Sequence, residues 1–313
     1  MQSMLHKIIH GLLLILGVTL VSFLLMVWFG PDQTYTLIGK NATPGQIEEV
    51  RHQLGYDQSF SRRYLAYLTQ LFTLDLGASN SSGEQVRSIL IRTLPVSLAL
   101  MLPGFIIGNL MGIGLGLTAA FRRGAWSDRL ITGLSVIGMS ISFLIIIIAL
   151  QVLLSTPYGL NLFPVRGWRV ESLSSYLAYV TVPTLSLILV TLGYNTRFYR
   201  AVFVEESSRE HIRTARAFGA SPLTLMCRHV LKNSLVPITT RILFSIPLVV
   251  ISGSLLMETY FGIPGIGKVT FDAITSGDQP VLKAIVGLTA VMFVLIQILT
   301  DFIYRIVDPR IDG

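Results

Sequence analysis

Cysteine and charge are both scarce in this sequence of 313 residues. Cys227 is its one cysteine, so an intrachain disulfide is excluded, and the five histidines show no zinc-type spacing with it. Charged residues make up 13% of the chain and hydrophobic residues 52%, whereas soluble domains average about 25% charged residues. Together with a mean hydropathy of +0.66, this composition indicates a membrane protein. Structural metal sites and disulfide scaffolds are excluded.

Six apolar runs can supply the roughly 20 residues that a helix needs to cross about 30 Å of hydrocarbon. The fifth run is short by itself, and we expect its helix to begin nearer Leu235. The first run exceeds the apolar region of a typical signal peptide and lacks a small-x-small cleavage site before Pro31, which favours an uncleaved helix. The sequence therefore predicts an all-α membrane protein with six transmembrane helices. The runs are Ile8–Phe29, Leu94–Ala120, Leu130–Leu154, Tyr176–Thr196, Ile242–Met257 and Val281–Ile303.

The distribution of basic residues predicts the orientation of these helices. The net charge is +7, from 24 basic and 17 acidic residues. If the N-terminus is cytoplasmic, the inner segments hold thirteen basic residues and the short outer loops hold four. Positively charged residues concentrate on the cytoplasmic side of membrane proteins. Both termini are therefore predicted to be cytoplasmic.

The polar stretch Gly30–Thr93 is predicted to form an outer subdomain. Thr43-Pro44-Gly45-Gln46 has the pattern of a capping box, and Gly55 can end the helix that follows. A second helix is expected from Ser61, lying on the membrane surface or against the bundle. Its apolar residues at helical spacing are Tyr64, Leu65, Leu68, Leu71 and Phe72.

The cytoplasmic segment Phe198–Val236 has the pattern of two short helices around a tight turn. Ser207 and Glu210 suggest a capping box for the first helix, whose apolar residues are expected to be Ile212, Ala215 and Phe218. Gly219 suits the position after the end of this helix, where a left-handed backbone conformation is needed. Ser221 and Pro222 suit the start of the second helix. Its expected buried stripe is Leu223, Met226 and Val230.

Two other interpretations of this basic segment explain less of its pattern. A helix-turn-helix could bind DNA, but helices tied at both ends to membrane spans have little freedom to enter a groove, so no nucleic-acid partner is expected. Arginines that only face anionic lipid would explain the charge. They would not explain the caps, the glycine turn or the apolar stripes, which need a partner surface to bury them.

The segment resembles the cytoplasmic EAA loop of ABC importer permeases, in which a small-residue pair precedes a glycine by four and an amphipathic helix docks on the ATPase. The equivalent run is Arg213-Thr214-Ala215-Arg216-Ala217-Phe218-Gly219. Similarity to the peptide and nickel branch of that family continues in order along the chain. The further matching segments are Asp75–Ser79, Arg92–Pro95, Ala119–Arg129, Glu258 with Pro264–Gly267, Asp278–Val281 and Asp308–Ile311.

The sequence departs from the family pattern in a few places. Arg213 replaces the glutamate of the general motif, and the later proline is delayed to Pro237, as in many peptide-type permeases. A proline and a tryptophan common in relatives are missing from Gly138–Phe143. The tryptophan usual before Pro264 is Ile263.

The resemblance implies a type I ABC importer permease fold with an extracytoplasmic subdomain between helices 1 and 2. The implied divisions are 1–93 for the first helix and subdomain, 94–304 for the permease core, 205–233 for the coupling loop within it, and 305–313 for a cytoplasmic tail. Contact with the ATPase is implied for Glu210, Arg213, Thr214, Ala215, Arg216, Ala217, Gly219, Ala220, Ser221 and Pro222. Outer loop or gate roles are implied for Glu258, Pro264, Gly265 and Gly267.

The implied partners are a second homologous permease subunit, two ABC ATPase subunits, an extracytoplasmic substrate-binding protein and the lipid bilayer of the bacterial inner membrane. No G-x-x-x-x-G-K-[ST] run is present, so the ATPase is expected on separate subunits, which bind the ATP and Mg. This chain is expected to bind no cofactor or metal and to have no catalytic residue. The implied cargo is peptides, with nickel chelates or opines as the alternative.

Two other classes of membrane protein were considered. An ion-coupled secondary transporter normally carries ionisable side chains near the bilayer midplane, and spans two to four as predicted have none. An intramembrane hydrolase needs a base beside its nucleophile, and no histidine lies mid-span with the serines. Gly108, Gly112, Gly114 and Gly116, with Asn109, are expected to allow close helix packing in the second span rather than cargo contact.

Overall fold

The computed structural model of the chain describes residues 4–30, 34, 38–39 and 43–307. The matching segment Asp308–Ile311 and most of the predicted tail lie outside these residues. The described residues are helical, apart from loops and one isolated bridge between Ala78 and Gln85. In chain order the helices are α1 (Met4–Phe29), α2 (Pro44–Gln53), α3 (Phe60–Thr73), α4 (Val86–Phe121), α5 (Trp126–Ser140), α6 (Phe143–Ser155), α7 (Leu173–Ser207), α8 (Glu210–Ala217), α9 (Pro222–Thr224), the π-helix π1 (Leu225–Val230), α10 (Leu231–Asn233), α11 (Leu235–Pro247), the π-helix π2 (Leu248–Gly253), α12 (Ser254–Phe261), α13 (Ile266–Ser276) and α14 (Gln279–Val307).

Five continuous helical stretches of the described chain are long and apolar enough to cross a membrane: α1, α4, α7, the α11–π2–α12 run and α14. The fifth predicted run does begin at Leu235. α4 and α7 have 36 and 35 residues, many more than the roughly 20 that a span needs, so both continue well beyond the hydrocarbon.

The third predicted run is not one straight helix. α5 and α6 are bent by 97° at a two-residue break, and they make a sixth span only if the pair is counted together. Ile141 and Ser142 have extended backbone at the break. The Ser140 hydroxyl donates to the Val136 carbonyl, a local bond that competes with helix continuation. The two helices taken together are still apolar enough to pass as a membrane span, so the hydropathy of the run did not indicate the break.

The described residues form two compact units. The first comprises those up to Val96 together with Pro264–Ile298, and the second comprises Ser97–Ile263 with those from Leu299 onward.

In the first unit, α3 packs against α1 and α14 through aromatic side chains. The Phe23 ring of α1 stacks on Tyr67 with centroids 5.6 Å apart, and the Tyr64 hydroxyl donates to the Leu16 carbonyl at 2.9 Å. Leu71 is buried against Ile15 and Ala290. Of the two predicted positions, α3 therefore takes the one against the membrane spans.

The predicted apolar face of this surface helix is partly wrong. Leu65 and Phe72 are 62% and 58% exposed, whereas Tyr67, which the stripe left out, is buried. α3 buries a narrower face than the one that the spacing suggested, because only one side of it meets α1 and α14. At the preceding helix, Gln46 Oε1 accepts from the Thr43 amide at 3.0 Å and Gly55 has a φ of +67°, as predicted.

In the second unit, α4 packs closely along α7. An ideal Cβ on Gly108 would lie 2.6 Å from Thr191 Oγ1, and one on Gly112 would lie 2.7 Å from Asn195 Cβ. A side chain at either position would therefore collide with α7. Gly114 has no such neighbour within 4 Å among the described residues, so the predicted close packing holds for one face of the glycine run.

The polar residue of this helix, Asn109, is fully engaged between the same two helices. Its Oδ1 accepts from the Tyr199 hydroxyl at 2.5 Å and from Asn195 Nδ2 at 3.3 Å, and its Nδ2 donates to the Phe105 carbonyl at 2.8 Å. These bonds satisfy a buried amide within the bundle. They agree with the expected packing role of this segment.

Candidate functional site

The segment after α7 folds as a hairpin, with α8 as its first arm and α9, π1 and α10 as its second. Gly219, with a φ of +84°, lies at the turn. The Ala220 amide donates to the Ala215 carbonyl at 3.1 Å and the Gly219 amide to the Arg216 carbonyl at 3.0 Å, the two bonds of a Schellman motif. Ser221 Oγ accepts from the Thr224 amide at 3.2 Å, and Pro222 takes the first helical position. The predicted helix–turn–helix is therefore correct.

The start of α8 differs from the prediction. α7 continues through Ser207, whose hydroxyl donates back to the Val204 carbonyl at 2.8 Å, so Ser207 does not cap the next helix. Arg209 takes the N-cap position instead. The local pattern Ser-x-x-Glu cannot show this, because the preceding helix is stabilised by its own packing up to its last turn.

An apolar cluster fixes the base of the hairpin to the ends of the long helices. Tyr199 and Phe203 of α7 are fully buried in it, with Ala120 at the end of α4. The hairpin contributes Ile212, Leu225, Met226 and Val230, and Ile238 of α11 completes the cluster. Burial of these large side chains stabilises the hairpin by about 1.5–3 kcal/mol each.

Two members of the predicted buried stripes are exposed instead. Phe218 is 88% exposed and Leu223 is 67% exposed, at the tip of the hairpin on either side of Gly219. Phe218 lies beyond the last turn of α8, and Leu223 precedes π1, whose wider turns bring Leu225 into the buried face. A stripe drawn at α-helical spacing could not locate the π-helix.

A buried carboxylate joins the end of α7 to the start of the first arm. Glu206 is 4% exposed and its Oε2 lies 2.9 Å from Arg209 Nε. Its Oε1 lies 3.3 Å from His211 Nε2 but has no hydrogen-bond partner among the described residues. The same ring nitrogen is 2.9 Å from Asn233 Nδ2 in α10, so His211 links the two arms when its Nε2 accepts from that amide. Sequence reasoning missed this cluster. An acidic residue in the last helical turn is unfavourable with the helix dipole, and that signal indicates the need for a partner.

Most of the predicted ATPase-contact residues lie together on the exposed surface of this hairpin. Ala215 and Ala220 are half-buried, and the others are exposed: Glu210, Arg213, Thr214, Arg216, Ala217, Gly219, Ser221 and Pro222. Cys227 is also exposed. The arrangement is a short, rigid projection with two apolar side chains at its tip and arginines beside them.

A second ion pair holds the segment between α4 and α5. Asp128 accepts from Arg200 Nε at 2.6 Å and Nη2 at 2.8 Å, and also from the Gly124 amide at 2.9 Å. Arg200 lies in α7, seven residues before the end of that helix at Ser207. α7 is thus joined by charge-assisted bonds both to α5 and to the hairpin.

The predicted outer residues fall in two places. Glu258 is fully buried in the second unit, where its Oε1 accepts from the Ser97 hydroxyl at 2.5 Å and its carbonyl from the Ile263 amide at 2.8 Å. Pro264, Gly265 and Gly267 belong to the first unit. Gly265 is the residue before α13 and Gly267 is buried within it, whereas Pro264 is exposed.

Asp278 joins residues 79–81 of the predicted outer segment to the start of α14 within the first unit. Its carboxylate accepts from the Ser79 hydroxyl at 2.5 Å, the Ser81 hydroxyl at 2.7 Å, and the Asn80 and Ser81 amides. Burial alone would raise the pKa of this carboxyl, but the hydrogen bonds outweigh it and hold the pKa below its usual range. The matching segments Asp75–Ser79 and Asp278–Val281 therefore meet in one hydrogen-bonded cluster.

Comparison with known proteins gives two family matches that cover almost the whole chain. Residues 112–313 match the family described as "Binding-protein-dependent transport system inner membrane component". Residues 1–101 match the family "Binding-prot-dependent transport system membrane comp, N-term".

Individual relatives match from end to end. A "Putative peptide transport system permease protein" of Brucella abortus is 32% identical over 312 residues, covering 98% of both chains. The "Dipeptide transport system permease protein DppB" of Lactococcus lactis is 34% identical over 306 residues, covering 96% of both. A "Probable peptide ABC transporter permease protein" of Sinorhizobium fredii is 29% identical over 309 residues, covering 98% of both.

Proposed function

We propose that this chain, which belongs to the family of binding-protein-dependent transport system inner membrane components, forms half of the translocation pathway for peptides. It is a multi-pass permease of the inner membrane, in an ABC transporter whose ATP hydrolysis takes place on other subunits. An extracytoplasmic binding protein would deliver the cargo. The names of the relatives from Brucella, Lactococcus and Sinorhizobium support peptides as that cargo.

The main support for a role in coupling to the ATPase is the exposed apolar tip of the 205–233 hairpin. Phe218 and Leu223 are large apolar side chains left in solvent on a segment that otherwise buries its apolar residues well. Each such side chain gains about 1.5–3 kcal/mol when a partner surface covers it. A cleft on an ABC ATPase subunit is the partner that we propose, with Arg213 and Arg216 at the rim of the contact.

The rigidity of the hairpin supports a mechanical role. The Schellman turn, the apolar cluster around Phe203 and the ion pair of Glu206 with Arg209 leave the hairpin few ways to bend relative to α7. A displacement of the tip would therefore move α7, instead of being absorbed by the loop. ATPase closure would then be converted into a movement of the spans.

The complex that we propose contains two different permeases. The 205–233 segment supplies one ATPase contact, whereas an ABC importer has two ATPase subunits. A second homologous permease would supply the other contact. ATP and Mg would bind to the ATPase subunits alone. The positive-inside distribution supports cytoplasmic termini, with the hairpin on the cytoplasmic side.

The docking proposal is tested with Phe218→Ser/Leu223→Ser in the purified assembly. Loss of two apolar anchors should weaken retention of the ATPase subunits at least tenfold, which corresponds to about 1.4 kcal/mol. Leu162→Ser is the matched control, because Leu162 is 65% exposed in the segment between α6 and α7. Undiminished ATPase retention and uptake in the double variant would contradict the coupling role.

The cargo and the composition of the complex are tested by uptake in a strain that carries the whole operon. Deletion of this gene should abolish uptake of labelled oligopeptides, and its restoration should return it. Retained peptide uptake with loss of nickel or opine uptake would instead support the alternative cargo. Full transport by this chain with only an ATPase and a binding protein would contradict the pair of different permeases.

A further inference from the structure

The first unit contains a cavity of about 380 Å³ beside the C-terminal part of α1 and the N-terminal end of α14. Its volume lies at the lower end of the range for small-molecule sites. α1 contributes Phe23, α3 contributes Arg63 and Tyr67, and the first turns of α14 contribute Lys283. The remaining walls come from residues 53–56, 58, 76–78 and 80 and from neighbouring residues of α3 and α14.

The cavity is positively charged. Arg63 and Lys283 both line it, and no aspartate or glutamate is among its described lining residues. The other polar side chains are mostly amides, which can donate hydrogen bonds: Gln53, Gln58, Gln70, Asn80 and Gln279.

Aromatic rings hold the two cations in place but leave their charge uncompensated. The Arg63 guanidinium carbon lies 4.8 Å from the Tyr56 ring centroid, and Lys283 Nζ lies 5.4 Å from the Phe23 centroid. The Tyr67 hydroxyl donates to the Lys283 carbonyl at 2.9 Å, which fixes α14 at this point. A ring attracts a cation through its quadrupole and carries no net charge.

Three described carboxylates of the neighbouring segments lie beside groups that are not part of the cavity lining. Asp278 accepts from the serines of the 79–81 turn. Asp57 lies 3.6 Å from His52, and Glu84 lies 2.9 Å from Arg92. Two like charges that share a partly enclosed cavity repel each other, and an anion between them would turn this repulsion into attraction.

We propose that this cavity binds a phosphate group, with Arg63 and Lys283 as its charged ligands and the side-chain amides of Gln53, Gln58 and Gln70 as further donors. Its place beside the ends of two membrane helices suits the headgroup of an anionic phospholipid, while free phosphate is the other source of the same chemistry. The proposal concerns binding to this chain alone and does not rest on its cargo or on its coupling to an ATPase.

The test is binding of phosphatidylglycerol to the delipidated full-length chain, followed by native mass spectrometry, with a separate titration of inorganic phosphate followed by thermal unfolding. The test variant is Arg63→Gln/Lys283→Gln. Arg62→Gln is the matched control, because Arg62 is the exposed neighbour on α3 and does not line the cavity. Arg63→Lys/Lys283→Arg keeps both charges.

Phosphatidylglycerol retention should fall at least tenfold in the Gln/Gln variant and stay near the wild-type level in Arg62→Gln and in the charge-preserving variant. Saturable protection by inorganic phosphate with the same variant pattern, without selective lipid retention, would support a free-phosphate site. Equal binding of both probes by wild type and Gln/Gln, or binding of neither by wild type, would overturn the proposal. If Gln/Gln aggregates, Arg63→Gln alone is judged by the same criteria.

Discussion

Gly219 is a position where a substitution should affect the contact with the ATPase more than it affects folding. Its φ of +84° favours glycine, but an ideal Cβ there has no described neighbour within 4 Å other than adjacent chain. A side chain at this position is therefore strained without being crowded. Its effect on folding should be small, and its effect on a docked partner should be large.

We expect Gly219→Asp to leave the protein inserted and to uncouple ATP hydrolysis from transport. Aspartate tolerates the left-handed region better than most residues, so the backbone cost is on the order of 1 kcal/mol. Its charge would lie beside Phe218 at the tip. Stimulated ATPase activity and uptake in the purified, reconstituted assembly are the readouts.

Gly39→Asp is the matched control for this substitution, because Gly39 has a φ of +77° and similarly open surroundings among the described residues. It should retain coupled transport. Normal stimulated ATPase activity and uptake in Gly219→Asp would show that the turn does not contact the ATPase.

Asp278 makes stability depend on pH through one buried carboxylate. Because its folded pKa lies below the unfolded value of about 3.9, its contribution is present above that pH and is lost as pH falls through the folded pKa. We expect Asp278→Asn to destabilise the protein at pH 7 by about 1–3 kcal/mol, since the serine and amide donors lose a charged acceptor. The variant should also lose part of the stability decline that wild type shows below pH 4.

Thermal unfolding of the purified chain between pH 3 and pH 7 measures both effects. Asp272→Asn is the control, because Asp272 forms an exposed pair with Lys268 at 2.7 Å, and such pairs contribute about 0–1 kcal/mol. An acid profile of Asp278→Asn that parallels wild type would contradict the assignment.

At the scale of helices, the sequence predicts which segments are helical and how they are capped. It predicts less well where a helix breaks, extends or changes to a π-helix. Gly219 and Ser221 were placed correctly because turn and cap chemistry is local. The extension of α7 through Ser207 and the π-helix at Leu225 accompany the burial of Phe203 and Leu225 in one apolar cluster, whereas the break at Ile141 accompanies the local bond of Ser140. Hydropathy and propensity do not contain that information, so the exposed positions of Phe218 and Leu223 were missed.

Glu206 is expected to control the stability of the hairpin as a unit. Glu206→Ala removes the ion-pair partner of Arg209 and leaves a cavity at the end of α7. Hydrogen bonds to charged groups contribute about 1.5–3 kcal/mol, so amide exchange in α8 should speed up about tenfold or more. Hydrogen–deuterium exchange of the purified chain measures this change.

Glu205→Ala provides the comparison for Glu206→Ala, because the adjacent Glu205 is exposed. Its α8 exchange should match wild type. Equal protection of α8 in the two variants would mean that the apolar cluster alone holds the hairpin.

At the scale of the whole molecule, composition and family motifs were sufficient for the class of protein and its helical fold. The pairing of Asp128 with Arg200 and of Asp278 with Ser79 was not predictable. Each joins residues far apart in the chain, by 72 and 199 positions. Such pairs arise from the tertiary arrangement, which one sequence without relatives does not specify.

Orientation in the membrane gives a prediction about Cys227. A membrane-impermeant maleimide should label this exposed thiol after cell lysis and should not label it in intact spheroplasts. Tyr158→Cys in a Cys227→Ser background is the control, because Tyr158 is 95% exposed in a predicted outer loop. Labelling of Cys227 in intact cells, or failure of Tyr158→Cys to label there, would reverse the topology.

The hydrogen bond between Ser79 and Asp278 can form only late in the synthesis of the chain. The ribosome must add 199 residues after Ser79 before the carboxylate that orders the 79–81 turn exists. At roughly 5–20 residues per second, that interval is about 10–40 s. During this interval Ser79 and Ser81 have no Asp278 carboxylate to donate to. A truncated chain that ends before Asp278 never forms these hydrogen bonds. The 79–81 turn therefore takes its final hydrogen bonds only after the residue that precedes the last helix has been synthesised.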